Sequence, residues 1–192
     1  MWILLIVAGI GLYVWSIYNK FVTIKTRIIA SIQEIGNQLK RQSELIPNLI
    51  ESVKGYMKHE KEVFKDITDA RKLVGKAVES EDVGQMLKAS DSLTRALMPI
   101  KVLHESNPEL KAVETVTKLM DELRDTADKL MYSRRILIDL SSDYNIMMVT
   151  FPSNLVAKIF GFKIEEGLVM PEEGEFREVS EEERKSPKVK LE

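Results

Sequence analysis

Apolar residues fill positions 1–19 on every face, and beyond them they recur every three or four residues almost to position 150. The opening run, MWILLIVAGIGLYVWSIYN, carries no charged side chain; as a helix it would be roughly 28 Å long, near the thickness of a bilayer's hydrocarbon core. Trp2 near one end and Trp15 and Tyr18 near the other sit where amphipathic rings favour the headgroup region, and Lys20, Lys25 and Arg27 follow. The pattern predicts a single-pass transmembrane anchor over 1–19, with the lipid bilayer as its partner. A secretory signal would open on basic residues and close on a small-residue cleavage site; this run has neither, so the anchor is expected to stay on the chain. By the positive-inside rule the three cations set the following domain in the cytoplasm, with the extracytoplasmic side as the alternative.

Residues 20–150 read as amphipathic helices. Ile24, Ile28, Ile32, Ile35 and Leu39 make the first buried stripe, and Ser43 and Pro47 suit a helix start, so a turn is expected near 41–45, or else a kink in one continuous helix. A second stripe runs from Ile46 to Val78 and ends near Ser80. Ser80, with Glu81 and Asp82 behind it, reads as the N-cap of a third helix reaching about Leu103, kinked or frayed at Pro99. Asn107-Pro108-Glu109 opens a long fourth helix that Phe151-Pro152 interrupts. Four such stripes are buried together most simply in an all-α fold: a transmembrane helix continuing into an antiparallel up-and-down four-helix bundle. A long coiled-coil dimer is the alternative. Residues 151–164 are expected to form a short amphipathic segment, docked on the bundle or exposed. From Glu165 to Glu192 ten acidic residues meet five basic ones with little apolar surface, a flexible acidic tail.

Composition narrows the chemistry. A net charge of −2 and the lack of a long Lys/Arg run argue against nucleic acid as a partner. Without Cys there is no thiolate nucleophile, disulfide or Cys-ligated zinc. His59 and His104 lie too far apart to share one helix face, and Tyr56 and Lys101, three residues before them, are not the Glu of a di-iron motif. Nucleophile-elbow, phosphate-loop and dinucleotide fingerprints are missing as well. No catalytic residue, metal or cofactor is expected. Two segments are more specified than packing demands: Leu45 to Glu60, with Pro47, Asn48 and Gly55 inside a helical pattern, and Tyr144 to Phe162 around the end of the last long helix. They supply the candidate partner contacts: Asn48, Lys54, Tyr56 and His59 in the first, Tyr144, Asn145, Phe151, Asn154, Phe160 and Phe162 in the second. The competing structural reading makes Pro47 and Asn48 a helix start, Gly55 a point of close helix approach, and Pro152 a helix stop.

Gln38-Leu39-Lys40-Arg41, Leu45-Ile46-Pro47-Asn48-Leu49, Val53-Lys54-Gly55-Tyr56, His59-Glu60 and Ala70-Arg71 resemble, in order and spacing, the signature of the LemA family of bacterial membrane proteins. Tyr18-Asn19 with Val22, Asn107-Pro108-Glu109-Leu110-Lys111-Ala112, Phe151-Pro152-Ser153-Asn154-Leu155, Phe160-Gly161-Phe162 and Ser186-Pro187-Lys188-Val189 extend the resemblance over nearly the whole chain. The chain departs from it at Leu137-Ile138, where a Tyr-Asn pair is usual, and at Asn107, where a Tyr is. The resemblance implies a protein of the bacterial cell (inner) membrane with a four-helix bundle and no assigned enzymatic activity. The expected function is a non-enzymatic interaction or scaffold protein holding an unidentified, membrane-associated protein partner. Lipid or small-ligand sensing is one alternative and an unrecognised hydrolase another.

Overall fold

One helix, α1, runs without interruption from Trp2 to Val53, and at about 1.5 Å per residue it is roughly 78 Å long. It belongs to a computed structural model that describes residues 1–57 and 60–165; the expected tail beyond Glu165, and His59, lie outside the described residues. Five more helices follow: α2 (Lys61–Ser80), α3 (Val83–Ser106), α4 (Pro108–Lys111), α5 (Glu114–Val149) and α6 (Ser153–Phe160). No strand occurs among the described residues.

The turn expected near 41–45 is absent, and Pro47 lies inside α1. The burial pattern explains why. Leu39, Gln42, Ile46, Leu49 and Val53 form one buried stripe in helical phase across the proline, whose own ring is exposed. An interior proline costs about 3 kcal/mol; burying each large aliphatic side chain returns about 1.5–3 kcal/mol. With Ile46, Leu49 and Val53 all fully buried, continuity wins. The chain reverses instead after Val53, where Tyr56 donates its amide to Val53 and Glu60 to Met57. Gly55 lies in that turn, not in a helix, and a Cβ there would meet nothing within 4 Å. It therefore does not serve close helix approach.

Two further boundaries move. Ser80 closes α2 rather than opening α3: its hydroxyl donates back to the Ala77 carbonyl, 2.9 Å away. Glu81 takes a left-handed backbone (φ 53°), and the extended Asp82 becomes the cap, its Oδ1 accepting the Gln85 amide at 2.7 Å. Asn107 caps as the sequence predicts, accepting the amides of Glu109 (2.9 Å) and Leu110 (3.4 Å). The helix it opens is only one turn, because Val113 turns extended (ψ 99°) before α5 begins. α3 passes through Pro99 and ends at Ser106.

Cross-helix contacts define the packing. Phe21 meets Tyr144, and Arg41 pairs with Glu122 at 3.3 Å, so α5 lies antiparallel along α1. α2 folds back along α1, where Arg71 Nε donates to Ser43 Oγ at 3.4 Å. The tight turn at 81–82 lays α3 against α2. α3 reaches α5 through Asp91 and Arg134 (3.8 Å) and through His104 and Thr117 (3.3 Å). One apolar core joins α1, α2, α3 and α5, with Ile35, Ile67, Leu93 and Leu137 from each in turn. Below Phe21, α1 projects beyond this core; no residue of its apolar run is buried, though Val14 and Ile17 are half-covered, and the helix is long and apolar enough to cross a membrane.

Candidate functional site

The two segments singled out in the sequence occupy opposite ends of the helical body. The 45–60 segment forms its tip, where α1 ends; the 144–162 segment forms its base, beside residues 18–25 of α1. From Asn19 to Val53 the helix rises roughly 50 Å.

At the tip, Asn48 is exposed on α1, and its carbonyl accepts the Ser52 hydroxyl at 2.7 Å. Lys54 is exposed and only loosely paired with Glu51, 3.7 Å away. The Tyr56 ring is exposed on the turn while neighbouring Met57 is buried and pins that turn to the core.

The base is an aromatic cluster. Phe162 stacks on Phe21 with ring centroids 4.7 Å apart, Tyr144 meets the edge of Phe21 at 5.3 Å, and Phe160 and Phe162 lie 4.8 and 5.7 Å from Tyr18. Such pairs add about 0.5–1.5 kcal/mol each beyond their burial. Tyr144 is fully buried, so it is a core residue and not the partner contact that its place in the second segment suggested. Its hydroxyl has no hydrogen-bond partner among the described residues. Burial pushes its pKa up, and the Lys25 charge nearby pulls the other way. Lys25 itself is raised by its hydrogen bond to Glu165, 2.8 Å away, with partial burial opposing.

Asn145 is half-buried and holds the Glu165 backbone through both atoms of its amide. Asn154 Oδ1 is buried without a partner among the described residues. Phe162 is half-buried in the cluster, while Phe160 keeps part of its ring exposed and Phe151, ahead of a cis bond to Pro152, is largely exposed. The second segment is thus two things: an inner set (Tyr144, Asn145, Phe162) that builds the base, and an outer pair, with Phe160 at the edge of the cluster against Tyr18 and Phe151 exposed beyond it.

Periodicity did not reveal a groove of about 540 Å³ between α1, α3 and α5. Gln42, Leu97, Lys101, His104, Asp121 and Arg124 line it, mixing aliphatic walls with both signs of charge. Thr117 donates its one hydroxyl proton to the Lys111 carbonyl at 3.1 Å, so at His104 the Nε2–H must donate to Thr117 Oγ1. These residues come from three helices distant in sequence, and apart from Leu97 each alone reads as a surface position. Among the described residues no three His, Asp or Glu side chains are grouped closely enough to hold a metal ion.

Curated relatives give a sequence likeness at the same scale. Magnetosome proteins MamQ 2 and MamQ 1 of Paramagnetospirillum magneticum are each 25% identical over 76% of this chain. MamQ of Magnetospirillum gryphiswaldense is 22% identical over the same share. The chain covers 62% of the length of each of these relatives. The LemA family model matches residues 31–190, which take in the tip, the groove and the α5–α6 side of the base; the chain belongs to the LemA family.

Proposed function

We propose that this chain is a single-pass membrane scaffold without catalytic activity, an antiparallel four-helix bundle that stands on the bilayer and presents its tip to a protein partner. The continuity of α1 carries this reading. The apolar run and the central core stripe are parts of one helix, so bundle and anchor move as one body and the tip is held at a set height, roughly 50 Å above the interface. Tethering raises the local concentration of whatever binds there. Asn48, Lys54 and Tyr56 offer an amide, a cation and an aromatic ring on that surface, the mixture in which interface anchors are found. By name the relatives are magnetosome proteins. With Lys20, Lys25 and Arg27 at the foot of the bundle, the tip faces the cytoplasm.

The test is photo-cross-linking in intact cells from an unnatural residue at Tyr56, with Lys118 as control. One discrete adduct from Tyr56, weakened by Asn48→Ala or Lys54→Glu and missing from Lys118, is the expected result. Absence of any adduct from Tyr56, Asn48 and Lys54 would overturn it. Cysteine labelling at Ser186 reads the sidedness independently.

The groove beside His104 favours a second reading, the sensing of a small ligand. Native mass spectrometry of protein extracted directly from membranes would show a bound small molecule in that case, and an empty protein would exclude it.

A further inference from the structure

α5 and α6 descend past the end of the apolar run of α1. Tyr144 lies against Phe21 and Glu122 beside Arg41; α5 continues five residues beyond Tyr144 to Val149. In the same antiparallel register that end comes level with about Ser16. Burial along α1 agrees: Val14 and Ile17 are half-covered while Trp15 and Ser16 are exposed. The Tyr18 ring lies 4.8 Å from that of Phe160. The corner between α5 and α6 therefore lies alongside the last one to two turns of the apolar run.

An anchor and a water-exposed corner at that level are incompatible. Were the corner kept in bulk water, only about thirteen residues of α1 would remain for the bilayer, roughly 20 Å of helix against a hydrocarbon core of about 30 Å. Either the bilayer thins by a third or the corner enters it. The surface of the corner decides between them. Val149 is 69% exposed, Phe151 75% and Ile159 74%. Leu155 and Ile159, four residues apart on α6, are exposed on its outer side, and Phe151 is exposed just ahead of the helix, while Ser153, Val156 and Ala157 are buried. Lys20, Lys158 and Lys163 flank this stripe with exposed side chains long enough to reach headgroups. Glu165, the acid beside them, is occupied by Lys25.

We propose that the α5–α6 corner is a second membrane contact, an interfacial seat in which Phe151, Leu155 and Ile159 lie among the lipid chains beside the emerging anchor. Such helices sink about 5–10 Å into the boundary between headgroups and acyl chains, the depth that the overlap with residues 14–19 requires. The seat fixes the tilt of the bundle, which a lone helix leaves free. It rests on the reading of 1–19 as the spanning segment.

The full chain, which has no native Cys, allows a direct test in phosphatidylcholine vesicles. Nitroxide labels are attached singly at Ile159, Leu155, Ile6 and Lys118, and their collisions with oxygen and with a water-soluble nickel chelate are measured. The seat predicts nickel accessibility at Ile159 and Leu155 several-fold below that at Lys118, with oxygen accessibility raised. Ile159 and Leu155 as open to nickel as Lys118, with Ile6 shielded, would overturn the seat and leave the anchor standing. Ile6 equally open to nickel would remove the anchor and the seat together. Spin–spin broadening at Ile159 with both quenchers excluded would assign the face to a second copy of the chain and overturn the lipid seat.

Discussion

Asn145 clamps Glu165 from both sides of its peptide: Nδ2 donates to the Glu165 carbonyl at 2.8 Å, and Oδ1 accepts the Glu165 amide at 3.1 Å. The Glu165 carboxylate in turn takes the Lys25 ammonium at 2.8 Å. Glu165, five residues beyond the end of α6, thereby ties the chain to α5 and to the foot of α1. Asn145→Ala removes two hydrogen bonds, worth about 0.5–1.5 kcal/mol each. Faster hydrogen exchange at the Glu165 and Phe162 amides is expected, with a much smaller effect at Leu93 in the distant core. Unchanged protection at Glu165 would show that the clamp does not hold this segment.

Alkaline pH should loosen the same base. Lys25 and Tyr144 both have pKa values raised above their ordinary 10.5 and 10.0, so each holds its proton more tightly folded than unfolded. Their contribution is complete below those ordinary values and is lost as pH rises through the higher folded ones. Melting temperature should therefore fall above about pH 10 on their account. Tyr144→Phe removes both the titrating group and a buried hydroxyl without a partner, whose desolvation costs about 1–3 kcal/mol. The variant should be at least as stable as the parent at pH 7 and less sensitive to alkali. An equally steep loss of melting temperature from pH 9 to 11 in the variant would contradict this.

Gly36 is buried in the middle of α1, where a Cβ would sit 3.6 Å from Met86 Cε and 3.9 Å from Val78 Cγ1. Those are ordinary contacts, so alanine fits. Gly36→Ala should raise stability by up to about 1 kcal/mol through helix propensity alone. Gly36→Leu should instead overpack the α1–α2–α3 junction and cost about 1–3 kcal/mol. Chemical denaturation of the two variants checks the pair; destabilisation by alanine would mean that the helices approach more closely than this.

The Arg41–Glu122 pair marks the α1–α5 register but contributes little to stability. Both side chains are about half exposed and 3.3 Å apart, and exposed pairs contribute about 0.2–1 kcal/mol at most. Glu122→Gln should shift stability within that range, and less in high salt. Leu39→Ala, two residues before Arg41 but fully buried in the core, should cost about 2–5 kcal/mol. Equal losses from the two variants would reverse this assignment.

Much of the secondary structure was legible because it depends on one segment at a time. An uncharged apolar run, stripes of period three to four, and an Asn-Pro-Glu cap each report on a single helix, and the long apolar α1, the helical character throughout and the Asn107 cap followed from them. Pro47 misled because its local cost is visible in sequence, whereas the burial of Ile46, Leu49 and Val53 that outweighs it arises only against other helices. Ser80 misled for a similar reason: its hydroxyl was already committed to Ala77. The two unusual segments were legible in the sequence, but where each of their side chains would lie was not. Tyr144 and Phe151 look alike in the sequence; one closes the core against Phe21 and the other points outward. Periodicity carries the phase of each helix about its own axis and nothing of its register against a neighbour. Register comes from the joint packing of side chains distant in sequence. It was this that buried Tyr144, opened the groove beside His104, and set the α5–α6 corner level with the end of the apolar run.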